Sequence, residues 1–172
     1  MIRRAIVFVA ALAMMGTVAG AGALAPGSGP LPAFTVVSSS GAAVPSARLS
    51  GEPRWLLVWA RPGAAATKKL LTALVEWQLP QDSCRRIVVV FEGPAAKAAA
   101  YLASLGDSAD SGAAWYADEN GTAASALGIT GAVALRGVRD GAIEWSLDGV
   151  LNDPAAFESV LRAWVDAAPA AR

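Results

Sequence analysis

Two short, uninterrupted apolar runs constrain the fold of this chain more than any other sequence feature. They are residues 55–60 (WLLVWA) and 87–91 (IVVVF). A strand covered on both faces has a continuous apolar run, whereas a strand with one wet face alternates apolar and polar residues. Between the runs, leucines at helical spacing predict a helix over residues 64–79, which Pro80 ends. This β-α-β order predicts parallel strands in a sheet covered by helices.

The remaining patterns predict further strands and helices on either side of this unit. Phe34 begins the first of them, and Asn152 or Asp153 caps the last helix, with Pro154 in its first turn. In chain order we predict a hairpin (34–38 and 42–44), a helix (94–105), a strand (114–117), a helix ending at 128, a hairpin (132–138 and 142–147) and a closing helix.

The residue types that are missing restrict the chemistry. The 172 residues include no histidine and one cysteine, Cys84. Without histidine the chain cannot form a Ser-His-Asp or Cys-His site or a histidine-bound metal centre. One cysteine excludes an internal disulfide, a CxxC pair and a cysteine-built metal centre, so we expect no metal and no cofactor. The 14 Lys+Arg balance 14 Asp+Glu, which gives no electrostatic basis for binding nucleic acid.

The first 25 residues have the pattern of a secretory signal. Arg3 and Arg4 precede an apolar stretch over 5–15, and Ala23-Leu24-Ala25 is a small-x-small cleavage site. We therefore predict cleavage after Ala25 and a periplasmic or secreted protein. The alternative is an uncleaved membrane anchor, since residues 5–25 carry no charge over about the length that spans a bilayer.

Composition divides the rest of the chain into three parts. Residues 26–32 (PGSGPLP) predict a Pro/Gly linker, residues 33–168 a single domain and residues 169–172 a short tail. The length of the middle part suits one hydrophobic core.

Short phrases along the chain resemble those of a known family. Residues 32–34 (PAF) followed by Gly41 are similar to an opening "PxF … G" segment, and residues 49–53 (LSGEP) before the first apolar run are similar to "L-x-G-K-P". Residues 118–121 (DENG) followed by 127–131 (LGITG) resemble "D-x-x-G … y-G-v-x-G". Phrases and element order together resemble the thioredoxin superfamily, in its exported TlpA-like, peroxiredoxin-related branch, over about residues 32–166. The resemblance implies an α/β thioredoxin-like fold, with a central mixed sheet flanked by helices and an N-terminal β-hairpin extension.

The residues that carry the chemistry of that family are replaced in this chain. When the sequences are aligned on Trp59-Ala60, Gly63 and Ala66 occupy the two positions of the family's Cys-x-x-Cys. The position of the family's cis-proline holds Val133, or Ala132 when it is counted back from the later hairpin turn. A non-proline cis bond costs about 3 kcal/mol, so we expect a trans peptide there. We therefore predict a degenerate thiol-disulfide oxidoreductase without catalytic residues.

The resemblance implies a groove between two loops that could hold a partner. Its residues would be Arg61, Pro62 and Gly63 on one side and Val133 on the other. The predicted function is a non-catalytic binding or assembly module, or a subunit of an exported complex. Its partner would be an extended peptide or loop of another exported protein, and a membrane would be involved only if the signal stays uncleaved.

The alternative function is redox activity through Cys84 and a partner thiol, as a thiol-disulfide oxidoreductase or peroxiredoxin-like protein. Arg85 and Arg86 would favour the thiolate of Cys84. The competing interpretation is an incidental loop cysteine on the side of the sheet opposite the family's active site, since the spacing carries no redox motif.

Three other features have structural explanations that we favour. Asp118 and Glu119 are adjacent carboxylates, which predicts helix capping and not a converging acid/base pair. The turn at Arg61 could bind an anion at the start of a helix, but without a phosphate-binding motif we predict an exposed arginine in a plain turn. Most of the six tryptophans should be core, with Trp77 and Trp145 partly exposed.

Overall fold

The computed structural model describes residues 25–106, 112–149 and 153–166. The predicted signal, apart from Ala25, and the predicted tail lie outside these residues. The strands are β1 (Ala25–Pro30), β2 (Thr35–Ser38), β3 (Ala43–Pro45), β4 (Arg54–Ala60), β5 (Ile87–Glu92), β6 (Ala114–Asp118), β7 (Val133–Arg139) and β8 (Ala142–Asp148). The helices are α1 (Ala65–Glu76), α2 (Gln81–Cys84), α3 (Ala95–Leu105), α4 (Thr122–Ala126) and α5 (Pro154–Val165), and a 3₁₀ turn covers Ser46–Arg48.

All of these strands belong to one mixed sheet. Their order is β1-β8-β7-β4-β5-β6-β2-β3. β4 pairs in parallel with β5, and β5 with β6, whereas the other neighbours pair antiparallel. The two predicted apolar runs are therefore adjacent parallel strands near the centre of the sheet, as expected.

Each face of the sheet buries its own core, which explains the continuous apolar run of β4. Leu56, Val58 and Ala60 face the side covered by α1, α3 and α5. Leu57 and Trp59 face the opposite side, where α4 and the segment before β2 pack. Because both faces are covered, every residue from Trp55 to Ala60 is buried.

Residues typical of helix caps and tight turns correctly predicted where several helices and strands begin or end. The carboxylate of Asp153 caps α5, because its Oδ1 accepts hydrogen bonds from the amides of Ala155 at 3.0 Å and Ala156 at 3.2 Å. The turn between β7 and β8 has positive φ angles at Asp140 (48°) and Gly141 (76°), as a two-residue hairpin turn requires.

The prediction of a linker is wrong for residues 26–30. These residues lie in β1, which pairs antiparallel with β8 through Ala25 opposite Ser146 and Pro30 opposite Ala142. Proline and glycine are typical of linkers, but an edge strand tolerates proline where its missing N–H would face outward. The predicted linker therefore adds an outermost strand to the sheet.

The connection from β1 to β2 shows that the sheet is curled. In a flat sheet the six strand spacings between β1 and β2 would amount to about 29 Å. Residues 31–34 connect the two strands, and five Cα–Cα steps reach at most about 18 Å. The amide of Leu31 donates to Gly141 O beside β8 at 2.8 Å, while Pro32 O accepts from Ser46 Oγ just after β3 at 3.0 Å. Two consecutive residues thus tie together the two edges of the sheet.

Trp145 is buried, contrary to the prediction of partial exposure, whereas Trp77 is half-buried. The indole of Trp145 lies across Gly137, its cross-strand neighbour on β7. A Cβ atom at Gly137 would be only 2.1 Å from Trp145 Nε1, so the absence of a side chain there makes room for the ring. Trp145 also contacts Trp164 of α5 edge-to-face, at 5.5 Å between ring centroids.

None of the helices in the described ranges combines the length and the apolar character needed to cross a membrane.

Candidate functional site

The two loops predicted to form a groove lie side by side at the carboxyl end of β4. The amide of Arg61 donates to Ala132 O at 2.8 Å. The hydroxyl of Thr67, in the first turn of α1, donates to Arg61 O at 2.8 Å and lies 3.4 Å from Ala132 O. The buried Thr67 side chain therefore joins the strand, the helix and the loop before β7.

The residues predicted to bind a partner divide into exposed and buried ones. Arg61 and Gly63 are exposed, whereas the side chains of Pro62 and Val133 are buried, Val133 completely. Val133 begins β7 and pairs with Ala60. The side chains of Pro62 and Val133 are therefore not exposed to a partner, and only Arg61 and Gly63 of the four predicted residues lie at the surface.

The two positions aligned with the family's cysteines carry no reactive group. Gly63 has φ +86°, and no heavy atom lies within 4 Å of the place where a Cβ would be. Ala66 lies in the first turn of α1 and packs against the core of that face. The described residues contain no cis peptide bond, so the bond before Val133 is trans, as expected. Neither position therefore carries a side chain that could act as a thiol nucleophile.

The side chain of Arg61 forms an ion pair with Glu92 at the end of β5. Arg61 Nε lies 2.5 Å from Glu92 Oε2, and Arg61 Nη2 lies 3.3 Å from Glu92 Oε1. The hydrogen bond to Glu92 and its negative charge raise the pKa of Arg61 above its ordinary value. A carboxylate already occupies the guanidinium fork, so this turn has no net positive charge with which to attract an anion.

Asp118 is a buried helix cap next to the site, as its position before a helix predicted. Its side chain accepts hydrogen bonds from the amides of Ala123 at 3.0 Å and Ala124 at 2.9 Å, at the start of α4. Trp59 Nε1 lies 3.4 Å from Asp118 Oδ2. The carboxylate thus fixes α4, and the loop that follows it, to the end of β6.

Glu119 caps a different helix. Its Oε1 accepts a hydrogen bond from the amide of Ala95, the first residue of α3, at 3.2 Å. The two adjacent carboxylates therefore face two different helices. They do not converge on a common substrate position, which confirms their structural interpretation.

Arg136 is a buried residue that the sequence analysis did not select. Its Nη1 lies 2.9 Å from both Leu135 O and Asp148 Oδ1, and its Nη2 lies 3.3 Å from Leu127 O, just after α4. Arg136 thus holds the loop that leads to Ala132 against β7 and β8. An arginine inside the otherwise apolar strand 133–138 was the one available signal.

Cys84 lies far from the groove. It is the last residue of α2, at the end of the sheet where β5 begins, whereas Gly63 follows the opposite end of the parallel strand β4. The Cys84 side chain is buried, its Sγ lies 3.5 Å from Leu79 O, and its burial raises the pKa of the thiol. Cys84 therefore lies at the end of the sheet opposite Gly63, and it belongs to a short helix, not to the predicted loop.

The two arginines next to Cys84 pair with other groups. Arg85 Nη1 lies 3.8 Å from Asp82 Oδ1, and Arg86 Nε lies 3.6 Å from Glu52 Oε2. Arg86 also donates to Val165 O at 2.6 Å. Both side chains are therefore engaged elsewhere, and burial dominates the environment of the thiol.

The described part of the chain contains no group of three or more histidine, cysteine, aspartate or glutamate side chains that could hold a metal ion.

The fold of this chain matches known proteins in structure, whereas its sequence does not match them. No family pattern and no curated protein matches the sequence. Solved structures do match, and the chain covers nearly the full length of several of them.

Three solved structures illustrate the match. A candidate thiol:disulfide interchange protein DsbE from Chlorobium tepidum superposes with a TM-score of 0.65 at 17% identity, over 82% of this chain and 98% of that one. The thioredoxin domain of a thiol-disulfide oxidoreductase from Bacteroides vulgatus gives 0.59 at 15% identity, over 81% and 98%. A secreted Mycobacterium tuberculosis disulfide oxidoreductase, described as homologous to E. coli DsbE, gives 0.56 at 17% identity, over 78% and 96%. With its mixed, curled sheet between helices, this chain has the thioredoxin-like fold of DsbE-like thiol:disulfide oxidoreductases.

Proposed function

We propose that this protein is a non-catalytic binding module that holds an extended segment of another exported protein between residues 61–64 and 131–132. One observation carries the proposal. The start of α1, where the resemblance implies a redox pair, presents Gly63 and Ala66, while the only thiol of the chain is buried at the other end of the sheet.

The backbone of the groove supports this function. Ala132 O is used within the protein, since it accepts from the amide of Arg61. The amides of Gly131 and Ala132 donate to no backbone carbonyl in the described residues. Gly131 is exposed and Ala132 half-buried. A partner chain in extended conformation could therefore accept hydrogen bonds from this short stretch without displacing any internal one.

Export is part of the proposal. It rests on the signal-like pattern of residues 1–25 and on the solved structure described as a secreted oxidoreductase. Mass spectrometry of the amino terminus of the protein, isolated separately from periplasmic, membrane and cytosolic fractions, tests it. A mature chain beginning at Pro26 supports cleavage, an intact chain in the membrane fraction supports an anchor, and an intact chain in the cytosol refutes export.

A disulfide-reduction assay tests the absence of catalysis. The reduced protein is incubated with a disulfide substrate and an electron donor, beside a Cys84→Ser variant. We expect both proteins to equal the background rate. Turnover that disappears in Cys84→Ser would refute the proposal and establish the redox alternative.

Photo-cross-linking at the groove tests binding. Ala65 and Thr130 are exposed residues on the two sides of the groove, and a photoreactive residue replaces each in turn. We expect both positions to capture the same exported protein. Ala99, on the exposed side of α3, serves as the control position. A Gly131→Arg substitution, which fills the groove, should abolish the capture; equal capture from Ala99, or capture unaffected by Gly131→Arg, would contradict the proposed site.

A further inference from the structure

We propose that Asn120 is a site of spontaneous covalent modification, at which the backbone nitrogen of Gly121 attacks the side-chain amide and converts Asn120 into aspartate and isoaspartate. The site lies in the turn between β6 and α4. It does not depend on the proposed function of the groove.

The reaction needs no reagent other than water. A bond forms between the Gly121 nitrogen and Cγ of Asn120, the bond from Cγ to Nδ2 breaks, and the Gly121 amide proton leaves with Nδ2 as ammonia. The product is a five-membered succinimide ring. When water opens the ring at Cγ, the residue becomes aspartate. When water opens it at the main-chain carbonyl carbon, Gly121 stays attached through Cγ and the residue becomes isoaspartate.

The first argument is the access to the attacking nitrogen. Gly121 has no side chain, and no heavy atom lies within 4 Å of the place where its Cβ would be. Any other residue would carry a Cβ next to the nitrogen and hinder its approach to Cγ. The amide of Gly121 donates to Asp118 O at 3.3 Å. This is longer than the usual N–H···O distance of about 2.9–3.0 Å, so the nitrogen is open and only weakly held.

The second argument is the freedom of the Asn120 side chain, which is exposed. The two side chains before it are fixed by hydrogen bonds. Asp118 accepts from the amide of Ala123 at 3.0 Å, and Glu119 accepts from the amide of Ala95 at 3.2 Å. Among the described residues, no such bond holds the side-chain amide of Asn120. It can therefore rotate until its Cγ meets the Gly121 nitrogen.

Isoaspartate at residue 120 would weaken the start of α4. The carbonyl oxygen of Gly121 accepts the first hydrogen bond of this helix, from the amide of Ser125 at 3.0 Å. In isoaspartate the main chain runs through Cβ and Cγ and gains one carbon, which changes the length of the turn that positions Gly121. Because α4 has only five residues, the loss of its first turn affects the whole helix.

Peptide mass spectrometry of the folded full-length protein, incubated at mildly alkaline pH, tests the modification. The peptide that contains Asn120 should gain the mass difference between an amide and a carboxyl group, and it should separate into aspartate and isoaspartate forms. Asn152 is the internal control, because the side chain of Asp153 after it hinders the attack. Its peptide should change several-fold more slowly. An Asn120→Gln variant should stay unmodified over the same time, because its longer side chain would have to close a six-membered ring.

Hydrogen exchange provides the independent readout. In the aged protein the amides of α4 should exchange faster than in freshly prepared protein, while those of β4 keep their rates. A fresh Asn120→Asp variant is the matched control, since it has the added charge with a normal main chain, and it should keep the slow exchange of α4. A peptide that stays unmodified at Asn120, or that changes no faster than the Asn152 peptide, would overturn the proposal. Equal protection of α4 in the aged protein and in Asn120→Asp would overturn the expected effect of isoaspartate.

Discussion

The hydroxyl of Thr67 donates a hydrogen bond to the carbonyl oxygen of Arg61 across 2.8 Å and thereby fastens the first turn of α1 to the end of β4. We expect Thr67→Val to lower the free energy of unfolding by about 1 kcal/mol, because the Arg61 carbonyl loses the shorter of its two hydrogen bonds, the other coming from the amide of Ala64, while the shape of the side chain is kept. Urea denaturation measures the change. Thr72→Val, at a half-buried position of the same helix, should change the value by less than about 0.5 kcal/mol. Equal effects of both variants would contradict the role of Thr67.

The second prediction concerns Asp118, which caps the start of α4. Asp118→Ala should destabilise the protein by about 2–4 kcal/mol, because two helix amides and the indole of Trp59 lose a buried acceptor. Asp118→Asn keeps one oxygen and should cost less. Thermal or urea unfolding of the two variants gives the order. An asparagine variant as unstable as the alanine variant would contradict the expectation that one retained acceptor oxygen supports the start of α4.

The third prediction concerns Gly137 and the indole of Trp145 that lies across it. Gly137→Ala should cost about 1–3 kcal/mol of unfolding free energy, since the new Cβ would lie 2.1 Å from Trp145 Nε1 and the ring must move. Replacing Trp145 by leucine in the same chain should recover part of this loss in a double-mutant cycle. Gly131→Ala is the matched control, because the nearest atom to its Cβ would be 3.6 Å away. An additive cycle would contradict the steric explanation.

The fourth prediction concerns Cys84 and the pH dependence of the free energy of unfolding. Burial raises the pKa of the folded thiol above that of the unfolded chain, about 8.5. The unfolded state therefore loses its proton first, and the free energy of unfolding falls as pH rises from about 8.5 towards the folded pKa. The Cys84→Ser variant has no thiol and therefore lacks this pH-dependent contribution to stability. The difference in stability between wild type and Cys84→Ser, measured by urea denaturation, should shrink between about pH 8 and pH 10. Burial also raises the pKa of Tyr101, but this residue is common to both proteins and cancels in the difference.

The reactivity of the thiol checks the same environment at a fixed pH. Modification of Cys84 by a thiol reagent at neutral pH should be much slower than that of a cysteine placed at the exposed Ala65 in the Cys84→Ser background. Equal rates would show that Cys84 is accessible and would revive the redox alternative.

Elements that depend on local chemistry were predictable from the sequence. The runs at residues 55–60 and 87–91 needed only their own composition to indicate central strands. Asp153 before Pro154, and Asp118 before α4, are cap signals that act within a few residues. In the same way, the turn at Asp140 and Gly141 needed only residues that accept positive φ.

Features that depend on distant partners were not predictable. β1 has the composition of a linker, and only the edge of β8, more than a hundred residues later, makes it a strand. Trp145 is buried because Gly137 on the neighbouring strand leaves room for it. Arg136 is satisfied by carbonyls from three places in the chain, so its burial could not be inferred from its own strand. The groove positions were predicted as a pair of loops, but the burial of Val133 follows from its pairing with Ala60.

The pairing of β1 with β8 also sets an order of events during folding. Residues 25–30 leave the ribosome before any other described strand, yet their partner on the sheet is β8, the last of the described strands. Contacts of such high sequence separation form slowly, because the whole intervening loop must be closed first. The described strand that is synthesised first can therefore pair only after β8 has been made, and until then its backbone hydrogen-bonding groups have no partner strand.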